Sequence, residues 1–381
     1  MMAPFTRTDR SLLGQWWWTV DRWLLLSLFI LIGSGLLLTI GASVAVAERL
    51  GLNSFHFAER QVVYLAITLG IMFAISLASP KSVRRIAVVM LPICLSLVLA
   101  AAFVGPEIKG SQRWLPIASF TLQPSEFLKP AFVVVCAWMF SEQMREPSFP
   151  GRKIAIALYL AVAASLVLQP DIGQTILITL VWLGQFFLAG LPMIWVLGCG
   201  IACVFGVIAA YVFLPHVASR IDRFLDPSTG DTYQIDTALN AFRTGGLFGR
   251  GPGEGLVKRV LPDAHTDFIF AVAGEEFGVV VCLGLLLVFA VIVVRGLVNL
   301  MKEHDPFVFL ATSGLLMQFG LQAYINIGVN LAVLPSKGMT LPFVSYGGSS
   351  MLAIGVTMGM ILALCRQQNY GPARPIPRRR A

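Results

Sequence analysis

Charge is what this chain has least of. Only 13% of its 381 residues are Asp, Glu, Lys or Arg, against about 25% in soluble globular domains. With 57% hydrophobic residues and a mean hydropathy of +0.79, a chain this long is a multi-pass membrane protein. The apolar runs extend for about 18–25 residues without alternation, which excludes the roughly 10-residue dyad strands of a membrane barrel and favours helices. Cysteine offers no framework. Cys94, Cys136, Cys199, Cys203, Cys282 and Cys365 all lie in or beside apolar runs and none forms a CxxC pair, so they are packing residues rather than metal ligands or disulfides. There is no Walker motif, no GxSxG and no histidine cluster, which argues against an ATP-driven pump or a serine hydrolase. The net charge of +8 sits largely in tails and loops beside apolar runs, where membrane topology accounts for it and nucleic acid is not implied.

Ten spans are expected, at about 23–46, 61–79, 86–104, 127–141, 154–169, 174–190, 193–214, 268–294, 307–333 and 345–364. The fold class is therefore all-α and polytopic. The first span ends in "ASVAVAE", which imitates a cleavage site, but its apolar core exceeds the about 7–15 residues of a signal peptide, so it is a retained helix. Basic residues on one set of connections (Arg7, Arg10 and Arg22; Lys81, Arg84 and Arg85; Arg145, Arg152 and Lys153; Arg295 and Lys302; Arg366 onward) place both termini in the cytoplasm. This gives a cytoplasmic segment 1–22, a transmembrane domain 23–364 and a basic cytoplasmic tail 365–381 attracted to anionic lipid. The longest connection, about 215–267, lies outside between spans seven and eight. It carries "GGLFGRGPGEG", residues 245–255. With no βαβ unit around it, this is a turn-rich loop and not a nucleotide site.

Several cations fall on the outer side, against the topological bias: Lys109, Arg113, Arg220, Arg223, Arg243, Arg250, Lys258, Arg259 and Lys337. Two readings stand for them, ion-paired loop structure or an anionic ligand such as a phosphorylated lipid.

The acids of "LPDAHTDFIFAVAGEEFG", residues 261–278, are equally out of place. Asp267, with His265 and Thr266, forms the entry to span eight, either as a helix cap or as a working acid. Glu275 falls about 12 Å deeper by helical rise and about 80° round the helix, and Glu276 about 180° round. That separation is too long for a hydrolase carboxylate pair. One surface acid with buried structural acids below it is the expectation. In "KGSQRWLPIASFTLQPSEFLKP", residues 109–130, Glu126 and Lys129 share a helical face at i, i+3. They are either an ion pair tying helices together or part of a site. Arg113 beside Trp114 offers a phosphate-capable fork next to an interfacial aromatic. "LQPDIGQT", residues 168–175, with Asp171, and "LPSKGMTLPFVSYGGSS", residues 334–350, are rich in breakers. Irregular backbone at membrane depth needs protein or a polar cavity around it, so four such segments on one face imply a single cavity.

These four stretches, in this order and spacing, resemble the SEDS (shape, elongation, division, sporulation) family of bacterial integral membrane proteins, over nearly the whole chain. Lys337 within its stretch is similar to the division-type members; elongation-type members usually have an uncharged residue there. Asp263, where Glu is commoner, and Pro116 with Ala118-Ser119, in place of a Leu-Gly pattern, are departures confined to loops. The resemblance implies a peptidoglycan glycosyltransferase that polymerises lipid II, by inverting transfer from an undecaprenyl-pyrophosphate-linked donor to the 4-hydroxyl of an acceptor. It implies Asp267 as the catalytic residue. The substrate-binding candidates are Lys109, Arg113, Trp114, Gln123, Glu126, Lys129, Asp171, Arg243, His265, Thr266, Lys337, Ser345 and Tyr346, with Glu275 and Glu276 as structural intramembrane acids. No cofactor is specified; a divalent cation such as Mg or Mn could share the charge neutralisation, with unassigned ligands. The implied partners are a class B penicillin-binding transpeptidase and septal activator proteins, at the division septum of the inner membrane. The chief rival is a lipid II flippase, which would spread its polar groups along a path through the bilayer. A structural member of the division complex without catalysis is a third reading.

Overall fold

The computed structural model describes residues 11–107, 111–117, 120–190, 193–213, 218–219, 221–222, 226, 232–335 and 338–366. A short helix α1 (Leu12–Thr19) leads into helices over all ten expected spans. These are α2 (Arg22–Arg49), α3 (His56–Ser76), α4 (Pro80–Val104), α5 (Pro124–Arg145), α6 (Gly151–Leu168), α7 (Ile172–Leu188) and α8 (Met193–Phe213), then, after α9 (Tyr233–Gly245), α10 (Ile269–Leu300), α11 (Pro306–Asn330) and α12 (Gly348–Leu364). Six of them, α2, α3, α4, α6, α10 and α11, are long and apolar enough to cross a membrane. The molecule is a mostly helical polytopic membrane protein.

Local signals fix the starts. Asp21 accepts from the N–H groups of Trp23 and Leu24, both at 3.0 Å, at the head of α2. Ser79 caps α4 with Pro80 behind it, and Asp305 caps α11 with Pro306 behind it, the arrangement expected where a proline's missing N–H costs nothing.

Two features depart from an all-α chain of spans and loops. Leu115–Ile117 and Phe120–Leu122 form β1 and β2, an antiparallel pair with Leu115 opposite Leu122. Helix α9 occupies part of the long connection, for which the sequence predicts a loop. It is amphipathic and polar overall, so a search for apolar runs passes over it.

Helix α10 is broken at Gly278, whose φ is +77°. The break is mended by the glycine-rich loop. Arg250 N–H donates to Glu275 O and Gly251 N–H to Glu276 O, both at 3.0 Å, while Val279 N–H donates to Gly246 O at 3.0 Å and Val280 N–H to Leu247 O at 3.2 Å. Four backbone groups freed by the break thus find partners in the loop, as a low-dielectric surrounding demands. A Cβ at Gly278 would stand 2.3 Å from Leu247 O.

The centre of the bundle is made by α5, α11 and α12, each buried along most of its length. Helix α12 lies close against α3, and Cβ atoms added at Gly355 and Gly359 would meet Thr68 Cγ2 at 2.5 Å and Met72 O at 2.9 Å. Without a hydrophobic force between helices in lipid, such small residues permit the backbone approach that holds them together. The buried Gln185 amide of α7 donates to Val133 O of α5 at 3.0 Å and Leu310 O of α11 at 3.1 Å.

Candidate active site

A cavity of about 490 Å³ opens where the N-terminal parts of α3, α5, α10 and α12 meet. Arg60 and Tyr64 line it from α3; Arg113, Trp114, Pro116, Phe120, Thr121, Gln123 and Glu126 from the hairpin segment and the head of α5; Asp263, Thr266 and Asp267 from the turn before α10. Gly338, Thr340 and the run Tyr346 to Ser350 close it. Two guanidinium groups and the positive ends of several helices face one space, a favourable setting for an anion.

The turn carrying Asp267 is stiff. Asp263 has φ +52°, a conformation that Asp tolerates better than most side chains. Its carbonyl accepts from Thr266 N–H at 3.0 Å and Phe268 N–H at 3.2 Å. The next loop is stitched to this turn: Ser345 Oγ donates to Thr266 O at 2.5 Å, Leu341 N–H donates to Ser345 Oγ at 2.8 Å, and Tyr346 N–H donates to His265 O at 2.9 Å. The Asp267 carboxylate lies beside Gly338, where an added Cβ would be 3.3 Å from Oδ2. From α11, Asn326 and Asn330 each donate a side-chain N–H to Asp267 O at 2.9 Å.

The cations and acids around the cavity are braced. Arg113 Nη1 is 3.3 Å from Asp171 Oδ1 and its Nε donates to Ser111 Oγ at 2.9 Å. Asp171 also caps α7, accepting from Gln174 N–H at 3.3 Å. Lys129, 1% exposed, is 2.9 Å from Glu126 Oε2 and donates to Gln322 Oε1 at 3.0 Å. Gln174 Nε2 donates to the other Glu126 oxygen at 2.6 Å. Arg60 shares the cavity wall with Tyr346.

Of the residues singled out from sequence, Arg113, Trp114, Gln123, Glu126, Thr266, Asp267 and Tyr346 line this one cavity. Asp171, Lys129, Ser345 and His265 stand one contact behind it; the His265 ring packs on Phe57 and Tyr346 at centroid distances of 4.8 and 5.4 Å. Arg243, in the last turn of α9, is exposed and is not among the lining residues. Lys109 and Lys337 lie outside the described residues. Glu275 and Glu276 serve the loop. Glu275 accepts from the N–H groups of Val257 and Lys258 at 2.7 and 2.8 Å. Glu276 pairs with Lys258, whose ammonium also reaches Gly41 O at 3.0 Å. For Lys258, then, ion-paired loop structure is what the geometry gives. Among the described residues no group of three or more His, Cys, Asp or Glu side chains comes together as a metal set.

Arg60 and Tyr64, at the entry of α3, and Asn326 and Asn330 carry no motif that marks them in the sequence. The i, i+4 spacing of two asparagines inside an apolar run was the available signal.

Comparison with known proteins agrees with this picture. The family model for FtsW/RodA/SpoVE cell cycle proteins matches residues 22–370. A relative from Caulobacter vibrioides named "Probable peptidoglycan glycosyltransferase FtsW" is 48% identical over 365 residues, covering 96% of this chain and 94% of that protein. One of the same name from Pseudoalteromonas translucida is 34% identical over 356 residues, covering 89% and 87%. Among solved structures, one concerning coordination of polymerization and crosslinking by a peptidoglycan synthase complex superposes with TM-score 0.75 at 26% identity, covering 92% of this chain and 99% of that one. The Thermus thermophilus rod shape determining protein RodA gives TM-score 0.67 at 25% identity, covering 93% and 99%. With a mostly helical body of several apolar helices, a braced polar cavity and a family match over residues 22–370, this chain belongs to the FtsW/RodA/SpoVE family.

Proposed function

We propose that this protein is a peptidoglycan glycosyltransferase that polymerises lipid II at the division septum, with Asp267 as general base. The observation that carries the mechanism is the placement of the Asp267 turn and two guanidinium groups, Arg60 and Arg113, on the wall of one cavity. The donor is a sugar on undecaprenyl pyrophosphate. The acceptor's 4-hydroxyl attacks the anomeric carbon, its proton passes to the Asp267 carboxylate, and the bond to the pyrophosphate oxygen breaks with inversion. Pyrophosphate is a good leaving group and needs charge neutralisation more than an acid. The two guanidinium groups and the helix N-termini supply fixed positive charge where the negative charge develops. A positioned general base contributes about 10²–10⁴ in rate. The aromatic faces of Trp114 and Tyr346 give the sugars and lipid stem an apolar wall.

The basic connections support an orientation with both termini in the cytoplasm and the cavity outside. Division rather than elongation is supported by relatives named FtsW at 48% and 34% identity, beside 25% for the Thermus thermophilus RodA. The solved synthase complex supports a crosslinking partner, here a class B penicillin-binding transpeptidase, with septal activators as further partners.

Purified protein with its transpeptidase, in vesicles loaded with labelled lipid II, tests this reading. Glycan strands in the products are expected. Movement of lipid II between leaflets without any glycan would overturn it in favour of a flippase.

A further inference from the structure

The Asp267 carboxylate faces the cavity, but its backbone is held from behind. Asn326 and Asn330 are one helical turn apart on α11, 1% and 0% exposed, and so point the same way. Asn330 Nδ2 donates to Asp267 O at 2.9 Å, and its Oδ1 accepts from Ala271 N–H at 3.1 Å. Asn326 Nδ2 donates to Asp267 O at 2.9 Å and to Met339 O at 2.6 Å. Met339 adjoins Gly338, the residue beside the carboxylate. Helix α10 has no side-chain cap of its own at Phe268. One face of α11 therefore fixes both the residue that carries the carboxylate and the strip of chain that walls it in.

We infer that Asn326 and Asn330 are positioning residues for catalysis, clamping the Asp267 backbone so that the carboxylate meets the acceptor hydroxyl in register. A pair of asparagines serving only to hold α10 against α11 would have many carbonyls to choose from along two helices. These two converge on the carbonyl of the residue read as the base. The inference rests on that reading of Asp267. Neither amide lines the cavity, so their removal takes no contact from the substrate, while the reacting geometry is lost.

The test uses the full-length protein with its transpeptidase and compares Asn326→Ala, Asn330→Ala and the double variant. Three quantities are read: kcat and KM for lipid II, hydrogen exchange of the 263–272 peptide, and the melting temperature. Since a displacement near 1 Å costs about 10²-fold in rate, each single variant, which keeps one donor, should lose about 10-fold in kcat, and the double about 100-fold or more. KM should stay within about twofold, as expected when only transition-state geometry is lost. Exchange in the peptide should quicken in every variant. If Asn330→Ala fails to fold, Asn326→Ala carries the test, since it leaves the bond to Ala271 intact. Unchanged exchange and unchanged kcat in Asn326→Ala overturn the inference. So does a loss of activity that merely tracks the melting temperature with KM rising in step. Should Asp267→Asn polymerise as well as wild type, the reading of Asp267 as base falls, and the catalytic half of the inference with it. The exchange data still decide separately whether the two amides clamp the turn.

Discussion

The Arg113 guanidinium stands 3.3 Å from the carboxylate of Asp171, the residue that caps α7. One acid thus starts a helix and aims a cation across the cavity wall. Asp171→Asn keeps the cap, since Asn caps as well as Asp, and removes the charge that braces Arg113. The expected outcome is a KM for lipid II raised by about 10-fold, the worth of one charge-assisted contact, with little change in melting temperature. Steady-state polymerisation and thermal unfolding measured together check it. A falling melting temperature with an unchanged KM would place Asp171 in helix stability alone.

Lys129 and Glu126 form a buried pair 2.9 Å apart with Gln322 and Gln174 completing it. Removing one partner strands a buried charge, which costs about 3–5 kcal/mol. Lys129→Met should therefore melt well below wild type. Adding Glu126→Leu should recover much of that stability, because replacing a whole buried pair by apolar groups is often neutral. Activity should stay low in the double variant, since Glu126 lines the cavity. Recovery of stability together with full activity would make the pair a helix tie only.

Gly278 breaks α10 at φ +77° with Leu247 O and Gly249 N crowded against it. Gly278→Ala adds left-handed strain, worth about 1–3 kcal/mol, to a clash that no rotamer relieves. The helix break and the loop that mends it should loosen together. A lowered melting temperature with quickened exchange at residues 246–251 is the expected readout, and a neutral substitution would contradict the role given to this glycine.

At the far end of α10, Asp21 links α2 to α10 through Arg295 Nε and Asn299 Nδ2, both at 2.8 Å. Burial pushes its carboxyl up, but the hydrogen bonds from Asn299, Leu24 N–H and Arg295, with the Arg295 charge, outweigh it and hold the carboxyl below its ordinary value of 3.8. A depressed carboxyl favours the folded state above its unfolded-state value, and that contribution disappears as pH falls through the lower folded value. Asp21→Ala also deletes an N-cap worth about 1 kcal/mol. The variant should melt lower than wild type at neutral pH, with the gap narrowing as pH falls below 3.8 and through the lower folded value. A gap independent of pH would assign the loss to the cap alone.

The architecture was largely written in the apolar runs, because a lipid solvent makes length and hydropathy sufficient to mark a helix. The cavity was legible in outline for the same reason. Breaker-rich stretches at membrane depth had to share polar surroundings, and Arg113, Glu126, Asp267 and Tyr346 do meet there. Arg60 was hidden because, next to Glu59 at the outer end of an apolar run, it reads as an ordinary paired surface charge. Asn326 and Asn330 were hidden because their meaning depends on which backbone carbonyl lies opposite, a long-range fact. Helix α9 lacks the apolar signal altogether. The glycine-rich loop reads as turns in the sequence, but its partner, the break at Gly278, shows only once the backbone bonds are traced.

The most direct measurement compares wild type and Asp267→Asn, folded equally well and bound equally to the transpeptidase, for lipid II polymerisation. Asparagine keeps the shape of the side chain and cannot take a proton. A catalytic base predicts a loss of at least about 10²-fold in kcat with lipid II binding retained. Equal glycan synthesis by both proteins would contradict it, leaving Asp267 a part of the turn and the base elsewhere in the cavity.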